Sequence, residues 1–200
     1  MVRLKPATER QQIVARLQEH QISELFHFTD IRNWPLIQSR GGLFSLAECR
    51  RRNFDVPRPG GTCDSAMRDQ TLQHHEYVHL CFHWDQPMKY VRQKDGALGP
   101  CAILSINPEV LLWRDTKFSD VNAADSFARI GDDASAFEQI NLKVARRGYN
   151  NLIWKTETAR KQVQAEVLVF KHVPINLISL HHMEGCIAHE ADSDDDDIPF

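Results

Sequence analysis

Residues 163–170 read VQAEVLVF, and this segment is the strongest candidate for a buried strand in the 200-residue chain. Side chains alternate between the two faces of a strand. One face here is wholly apolar: Val163, Ala165, Val167 and Val169. Glu166 lies on the opposite face, with Gln164 and Leu168. A carboxylate inside an apolar strand costs free energy unless it is paired or lines a pocket. The pattern therefore favours either a functional carboxylate or a glutamate exposed on the open face of a sheet.

The elements around this segment follow a mixed order. Hydrophobic spacing predicts helices over residues 8–20, 31–40, 107–114 and 133–147. Alternating patterns predict strands in LFHFTD, YVHLCFHW, MKYVRQ and CAILSINP, with Asp95-Gly96 as a possible hairpin turn between the last two. Short strands with few signals for parallel crossovers indicate the α+β class.

The composition is that of a globular protein with a substantial core. Hydrophobic residues make up 42% of the chain and charged residues 26%, which excludes a disordered chain. The apolar runs are too short to span a bilayer, and the polar N-terminus has no apolar core of a secretory signal. We therefore expect a cytoplasmic protein with no membrane partner.

The net charge of −3 averages two unlike parts of the chain. Residues 190–197 hold six acids and no base, and the remainder of the chain has 24 bases against 21 acids. A slightly basic body is compatible with a polyanionic partner, although ordinary surface composition explains it equally well. We expect one domain over residues 1–185 and an acidic, disordered tail over residues 186–200.

Cysteine and histidine side chains are numerous enough to raise the question of a metal site. The five cysteines include no C-x-x-C pair, so we expect reduced thiols rather than a disulfide framework. Five possible ligands lie close together in sequence: His74, His75, His79, Cys81 and His83. Zinc sites usually draw paired ligands from a turn, and no such pair is visible. We expect no metal.

Two further groups of residues could bind an anion. His27 and Thr29 share one face of a short strand, and a helix follows at once, an arrangement that suits a phosphate or a nucleotide. A hydrogen-bonded structural histidine is the competing interpretation. Arginines also gather in and beside a Gly/Pro-rich loop, where they could pair with phosphate or remain a solvated surface: Arg50, Arg51, Arg52, Arg58 and Arg68. Nearby aromatic side chains could stack on bases or pack in the core. The sequence has no phosphate-loop or dinucleotide-binding glycine motif.

The four clearest stretches resemble, in family order, the DarT family of toxins. The stretches are FHFTDIRNWPLI with GGLFS, YVHLCFHWDQPMKYV, ILSINPEVLLWRDTKFSDVNAAD, and QAEVLV, and together they cover about residues 22–180. DarT proteins are ADP-ribosyltransferases that use NAD to modify bases of single-stranded DNA within a toxin–antitoxin system. The resemblance implies an ADP-ribosyltransferase-like fold with a central split antiparallel β-sheet flanked by helices.

The resemblance also implies roles for individual residues. Glu166 matches the family's catalytic glutamate, and Arg68 is the choice for the catalytic arginine, with Arg51 next. The remaining matches are contacts to NAD: His27, Thr29, Asn33, Arg51, Met88 and Tyr90. A toxic activity further implies a neutralising partner, commonly a macrodomain hydrolase.

Two other functions remain open from the sequence. The first keeps NAD but changes the acceptor to RNA, another nucleotide or a protein. The second is a non-enzymatic Cys/His module that binds nucleic acid. Binding of zinc without binding of NAD would distinguish the second from an enzyme.

Overall fold

A computed structural model describes residues 2–57, 73–151 and 156–185 of the chain. Its strands are β1 (Leu25–Asp30), β2 (Gly42–Phe44), β3 (Tyr77–Cys81), β4 (Cys101–Ile106), β5 (Lys117–Ser119), β6 (Ile130–Gly131), β7 (Glu166–Phe170), β8 (His172–Pro174) and β9 (Ile178–Met183). Its α-helices are α1 (Ala7–Glu19), α2 (Trp34–Ser39), α3 (Leu46–Arg51), α4 (Pro87–Lys94), α5 (Ala134–Glu138), α6 (Leu142–Ala145) and α7 (Glu157–Gln162). Within the described residues, 3-10 helices span Ile31–Asn33, His74–Glu76, Pro108–Leu112 and Ile175–Leu177.

Seven strands form one sheet in the order β6-β5-β7-β3-β1-β4-β9, and β2 pairs with β8 in a second, small sheet. All the strand pairs in the large sheet are antiparallel. Six residue pairs join β1 to β4 and five join β3 to β7, whereas β1 and β3 meet only at Phe26 and Cys81. The sheet therefore consists of two well-paired halves that separate beyond one point of contact. This confirms the expected α+β class and the split antiparallel sheet.

The two faces of the sheet are covered unequally. One face carries the main core, where Ile13 and Leu17 of α1 and Phe137 of α5 pack against Leu104 and Val167 of the strands. The opposite face holds a smaller apolar cluster: Phe26, Cys81, Leu98, Cys101 and Ile103. Alternation along β7 and β3 places Glu166 and His79 on this second face, because Cys81 lies directly opposite Glu166.

Several predicted elements differ from the structure. The segment MKYVRQ is not a strand but part of helix α4, which begins with Pro87 at a position where its missing N–H costs nothing. Asp95 and Gly96 end this helix instead of forming a hairpin, and Gly96 adopts the left-handed conformation (φ +74°) typical of a helix C-terminus. The prediction from alternation failed because Lys89 is buried on the inner side of the helix, where its Nζ donates to Glu184 Oε1 at 2.7 Å.

Other differences are smaller. Residues 107–114 form a 3-10 helix over Pro108–Leu112, and residues 133–147 hold two short helices instead of one. The strand predicted from residue 163 begins at Glu166. Leu168, which was expected on an open face, is fully buried. Across the described ranges, none of the helices is both long enough and apolar enough to cross a membrane.

Candidate active site

Glu166 occupies the first position of β7, in the half of the sheet on the β3 side of the split. It lies opposite Cys81 of β3 on one side and opposite Ser119 of β5 on the other. Its side chain is 15% exposed, so the carboxylate is screened from bulk water and still reachable. Since buried carboxylates need hydrogen-bond partners, the groups around Glu166 decide what it can do.

Three donors hold the Glu166 carboxylate. Asn122 Nδ2 donates to Oε1 at 3.1 Å, and the backbone N–H of Ala123 donates to Oε2 at 3.2 Å. His79 Nδ1 lies 3.0 Å from Oε2. A carboxylate can accept about four hydrogen bonds, so Oε1, with one donor among the described residues, keeps capacity for a substrate hydroxyl or N–H. The carboxylate is thus oriented by the protein without being saturated.

The loop between β5 and β6 positions two of these donors. Asn122 Oδ1 accepts from the backbone N–H of Ala124 at 3.0 Å, which fixes the side chain in a tight turn. Asp120 accepts from the backbone N–H and from Nε of Arg129, both at 2.9 Å, and closes the base of the loop. This loop, held by its own hydrogen bonds, is therefore a support for Glu166.

His79 of β3 connects Glu166 to the other half of the sheet. Its ring lies between Glu166 Oε2 and the backbone carbonyl of His74, which is 3.3 Å from Nε2. Its own backbone carbonyl is 2.9 Å from Nδ1 of His27, across the point where β1 and β3 separate. The backbone hydrogen bonds between β1 and β3 therefore stop here, and a hydrogen bond from the His27 side chain joins the two strands instead.

His27 is a neutral imidazole with a defined tautomer. Burial lowers the pKa of His27 to about 4, so the ring is uncharged at neutral pH. Since a carbonyl only accepts, Nδ1 carries the proton and Nε2 is left as an acceptor. This arrangement suits a ligand that offers a hydroxyl group.

Thr29 and Asn33 form a second pair close by on the β1 side. Both are buried, and Asn33 Nδ2 donates to Thr29 Oγ1 at 3.0 Å. Asp30 lies between them in sequence and holds the turn, accepting from Arg32 N at 3.0 Å and from Gly99 N at 3.0 Å. The helix predicted over residues 31–40 is therefore divided, with a 3-10 turn before α2.

The other residues predicted to contact a cofactor lie in separate networks. Arg51 ends α3 and donates to Glu48 Oε2 at 2.9 Å and to Glu76 Oε2 at 2.7 Å, and these two carboxylates raise the pKa of Arg51. Glu76 ends the 3-10 helix His74–Glu76, which also supplies the carbonyl beside the His79 ring.

Met88 and Tyr90 lie on α4. Gln86, just before this helix, donates to the Val163 carbonyl at 3.3 Å, which places the start of α4 next to the segment leading into β7. The Tyr90 hydroxyl donates to Asp85 Oδ1 at 2.7 Å, and burial together with this carboxylate raises the pKa of Tyr90 to about 12.

Some predicted features lie outside the described residues. They are Arg58, Arg68, Cys63, Cys186 and the acidic tail. The described cysteines Cys49, Cys81 and Cys101 are free thiols. In the part of the chain that is described, no group of three His, Cys, Asp or Glu side chains is arranged to hold a metal ion.

Asn122, Ala123 and His79 were not predicted as partners of the glutamate. His79 stood out in the sequence only as a possible metal ligand. Alternation could have placed it on the Glu166 face, but the pairing of β3 with β7 had to be known first. A backbone donor such as Ala123 N leaves no signal in the residue type.

A family model described as ssDNA thymidine ADP-ribosyltransferase, DarT, matches residues 26–196. A search of curated proteins found no match.

Solved structures with a similar fold include three complexes of two proteins. Thermus sp. 2.9 DarT in complex with ADP-ribosylated ssDNA is 19% identical, with a TM-score of 0.64, over 91% of this chain and 86% of that one. The same DarT in complex with NAD+ is 21% identical, with a TM-score of 0.57, over 80% and 83%. Thermosipho africanus DarTG in complex with ADP-ribose is 23% identical, with a TM-score of 0.62, over 78% of this chain. This chain spans only 43% of the length of that DarTG chain.

Proposed function

This chain belongs to the DarT family of single-stranded DNA thymidine ADP-ribosyltransferases, and on that basis we propose that it transfers ADP-ribose from NAD to a thymidine base and releases nicotinamide. The observation that carries the residue assignment is the Glu166 carboxylate, which three donors orient and whose Oε1 accepts from one donor among the described residues. Glu166 is the proposed catalytic residue.

The reaction exchanges one glycosidic bond for another. The bond between ribose C1 and the nicotinamide nitrogen breaks, and its electron pair leaves with nicotinamide. The ribose gains oxocarbenium character, which a nearby carboxylate stabilises electrostatically. A new bond forms between ribose C1 and the base, and Glu166 accepts the proton that the base loses. In thymidine the only ring N–H is at N3, because N1 is bonded to the deoxyribose.

The β1 side of the split suits the NAD molecule. The unprotonated Nε2 of His27 can accept a hydrogen bond from a ribose hydroxyl. Thr29 and Asn33 lie next to it in the fold, at the start of the helical turn, and we assign them to the same ligand.

The remaining assignments rest on the family resemblance. Arg68 is the proposed catalytic arginine, which would polarise the leaving group or hold a phosphate. Arg51 is the second candidate, although two glutamates already engage its guanidinium. Met88 and Tyr90 are the proposed wall against nicotinamide, since α4 begins beside the segment that leads into β7.

The DNA must present an unpaired base, because the target atom of a thymine is shielded in a duplex. The basic body of residues 1–185 supports binding of this polyanion. We further propose that residues 1–185 form a single catalytic domain, that the protein acts in the cytoplasm, and that a macrodomain hydrolase neutralises it.

The test is mass spectrometry of short oligonucleotides after incubation with NAD and the full chain. We expect ADP-ribose on single-stranded DNA that contains thymidine, and none on thymidine-free DNA or duplex DNA. Glu166→Gln should lower the rate of transfer by about 10²- to 10⁴-fold, the usual contribution of a positioned acid or base. Glu157→Gln, which changes an exposed glutamate on α7, serves as the matched control and should retain the wild-type rate. Modification of RNA alone would move the substrate to the first alternative, and an active Glu166→Gln protein would refute the assignment of Glu166.

A further inference from the structure

The surroundings of the His79 ring point to a role in the reaction that the residue assignments above do not include. We propose that His79 is the positioning residue that fixes the orientation of the Glu166 carboxylate. The proposal rests on the function proposed above and adds a positioning residue to its machinery.

His79 reaches Glu166 through the pairing of two central strands. His79 lies opposite Leu168 and Cys81 lies opposite Glu166, so His79 and Glu166 are diagonal neighbours on one face of the sheet. Both strands are interior strands of the seven-stranded sheet, which limits movement of their backbones. The 3.0 Å contact between Nδ1 and Oε2 is therefore set by the register of the sheet and not by two mobile surface side chains.

A second contact fixes the ring of His79. The His74 carbonyl lies 3.3 Å from Nε2, so the imidazole is held at both nitrogens. Glu166 and the carbonyl are both acceptors, so both contacts are hydrogen bonds when each ring nitrogen carries a proton, and Nδ1 is then the donor to Glu166. An imidazole anchored in this way acts as a directional donor toward the carboxylate.

The donors approach Glu166 from two sides. His79 belongs to β3, whereas Asn122 and Ala123 belong to the loop after β5, and β7 lies between β3 and β5. Two of the three donors, His79 Nδ1 and Ala123 N, converge on Oε2. Oε2 accepts from two donors and Oε1 from one among the described residues, which makes Oε1 the oxygen with more capacity for a substrate group. Removing His79 would free the carboxylate to rotate and would lose this distinction between the two oxygens.

The backbone of His79 completes the arrangement, because its carbonyl accepts the proton of His27 Nδ1. The residue that orients the proposed catalytic carboxylate thus also fixes the tautomer of the proposed ligand for NAD. Substitution of the His79 side chain leaves this backbone contact in place, so its effect on Glu166 can be separated from an effect on NAD binding.

The experiment compares His79→Leu, which removes the donor, with His79→Asn, whose amide N–H stands close to the position of Nδ1. The rate of base-linked ADP-ribose formation is measured against NAD and oligonucleotide concentration. We expect His79→Leu to lower kcat by about 10- to 100-fold, the effect typical of losing a group that orients a functional side chain. The KM for NAD should remain within a few-fold of wild type, and His79→Asn should recover most of kcat. His182→Asn on the exposed edge strand β9 is the control for a histidine substitution.

The outcomes separate this proposal from the proposed function. If Glu166→Gln is inactive and His79→Leu retains the wild-type kcat, the positioning role is wrong and the role of Glu166 stands. If His79→Leu and His79→Asn lose kcat equally, and the loss follows a fall in Tm, His79 has only a structural role. If the wild type modifies no DNA, ¹⁵N spectra of the histidine rings still decide: a protonated Nδ1 on His79, altered in Glu166→Gln, supports the pair. An unprotonated Nδ1 on His79 refutes the proposed pair.

Discussion

Two carboxylates on opposite sides of the split in the sheet show how differently the same chemical group can be used. Asp30 ends β1 and has a fully buried side chain, which accepts from Nε of Arg32 at 2.6 Å and from its Nη2 at 2.7 Å. Glu166 begins β7, and its recorded partners are an amide, a backbone N–H and an imidazole.

The two carboxylates differ in how many of their hydrogen-bond acceptor positions are occupied. A bidentate guanidinium and two backbone N–H groups satisfy Asp30, and the hydrogen bonds of Arg32 hold the pKa of the Asp30 carboxyl well below its usual range. Such a group anchors a turn and has little left for a ligand. Glu166 is oriented by donors that leave part of Oε1 free. The structural carboxylate, Asp30, therefore has its hydrogen-bond acceptor positions occupied. The proposed catalytic carboxylate, Glu166, is oriented by donors and can still accept another hydrogen bond.

The largest difference between the two carboxylates is expected in stability, when each is removed in turn and the free energy of unfolding is measured. Asp30→Ala should lower the free energy of unfolding by about 2–4 kcal/mol, because the part-buried N–H of Gly99 loses its acceptor and the 3-10 turn loses its cap. Glu166→Ala should change it by less than about 1 kcal/mol. Urea denaturation followed by circular dichroism measures both. A larger destabilisation in Glu166→Ala would contradict the division of roles.

Asn122, which donates to Glu166 Oε1, provides a second test of how the proposed catalytic carboxylate is oriented. Asn122→Ala removes one hydrogen bond to a charged group, worth about 1.5 kcal/mol, and should lower kcat by about tenfold. Asn122→Asp places a second carboxylate where the amide lies 3.1 Å from Oε1, and the repulsion between like charges should lower kcat further than Asn122→Ala does. The initial rate of base-linked ADP-ribose formation measures both variants. A wild-type kcat in both would show that Asn122 does not orient Glu166.

The smallest expected effect comes from Arg32→Gln, because half of the Arg32 side chain is exposed and water replaces part of the lost interaction. The sign of its pH dependence follows from the lowered pKa of Asp30. A carboxyl whose pKa is lower in the folded protein contributes stability above its unfolded pKa, and this stability is lost as the pH falls toward the folded value. With Arg32 replaced, the pKa of Asp30 in the folded protein shifts up toward its unfolded value, so the variant should lose less stability than the wild type as the pH falls. Thermal unfolding between pH 6 and pH 3 checks this shift, and identical curves would count against the pairing of Asp30 with Arg32.

Local sequence patterns predicted much of the fold but only part of the candidate site. Glu166 stood out because a carboxylate interrupts an apolar strand, and His27 with Thr29 stood out because a helix follows their strand. Helix α4 was missed because its residues also alternate, and only the buried contact of Lys89 with Glu184 shows which side faces inward. Pro87 was the available signal for a helix start.

The partners of Glu166 could not be read from the sequence for a different reason. His79 is 87 residues away and Asn122 is 44 residues away, so their contacts depend on the register of β7 with two other strands. Spacing within one segment contains no information about that register. The family resemblance supplied the glutamate, but not the groups that orient it.

The strand order also governs when the site can exist during folding. The β3–β7 and β4–β9 pairs join early and late parts of the chain, so large loops must close before the sheet is complete. Sheets dominated by such distant pairs fold slowly, on the scale of milliseconds to seconds. Glu166 meets His79 only after β7 has docked, so a partly synthesised chain lacks the assembled carboxylate site. Catalytic competence is therefore a property of the finished sheet and not of either half.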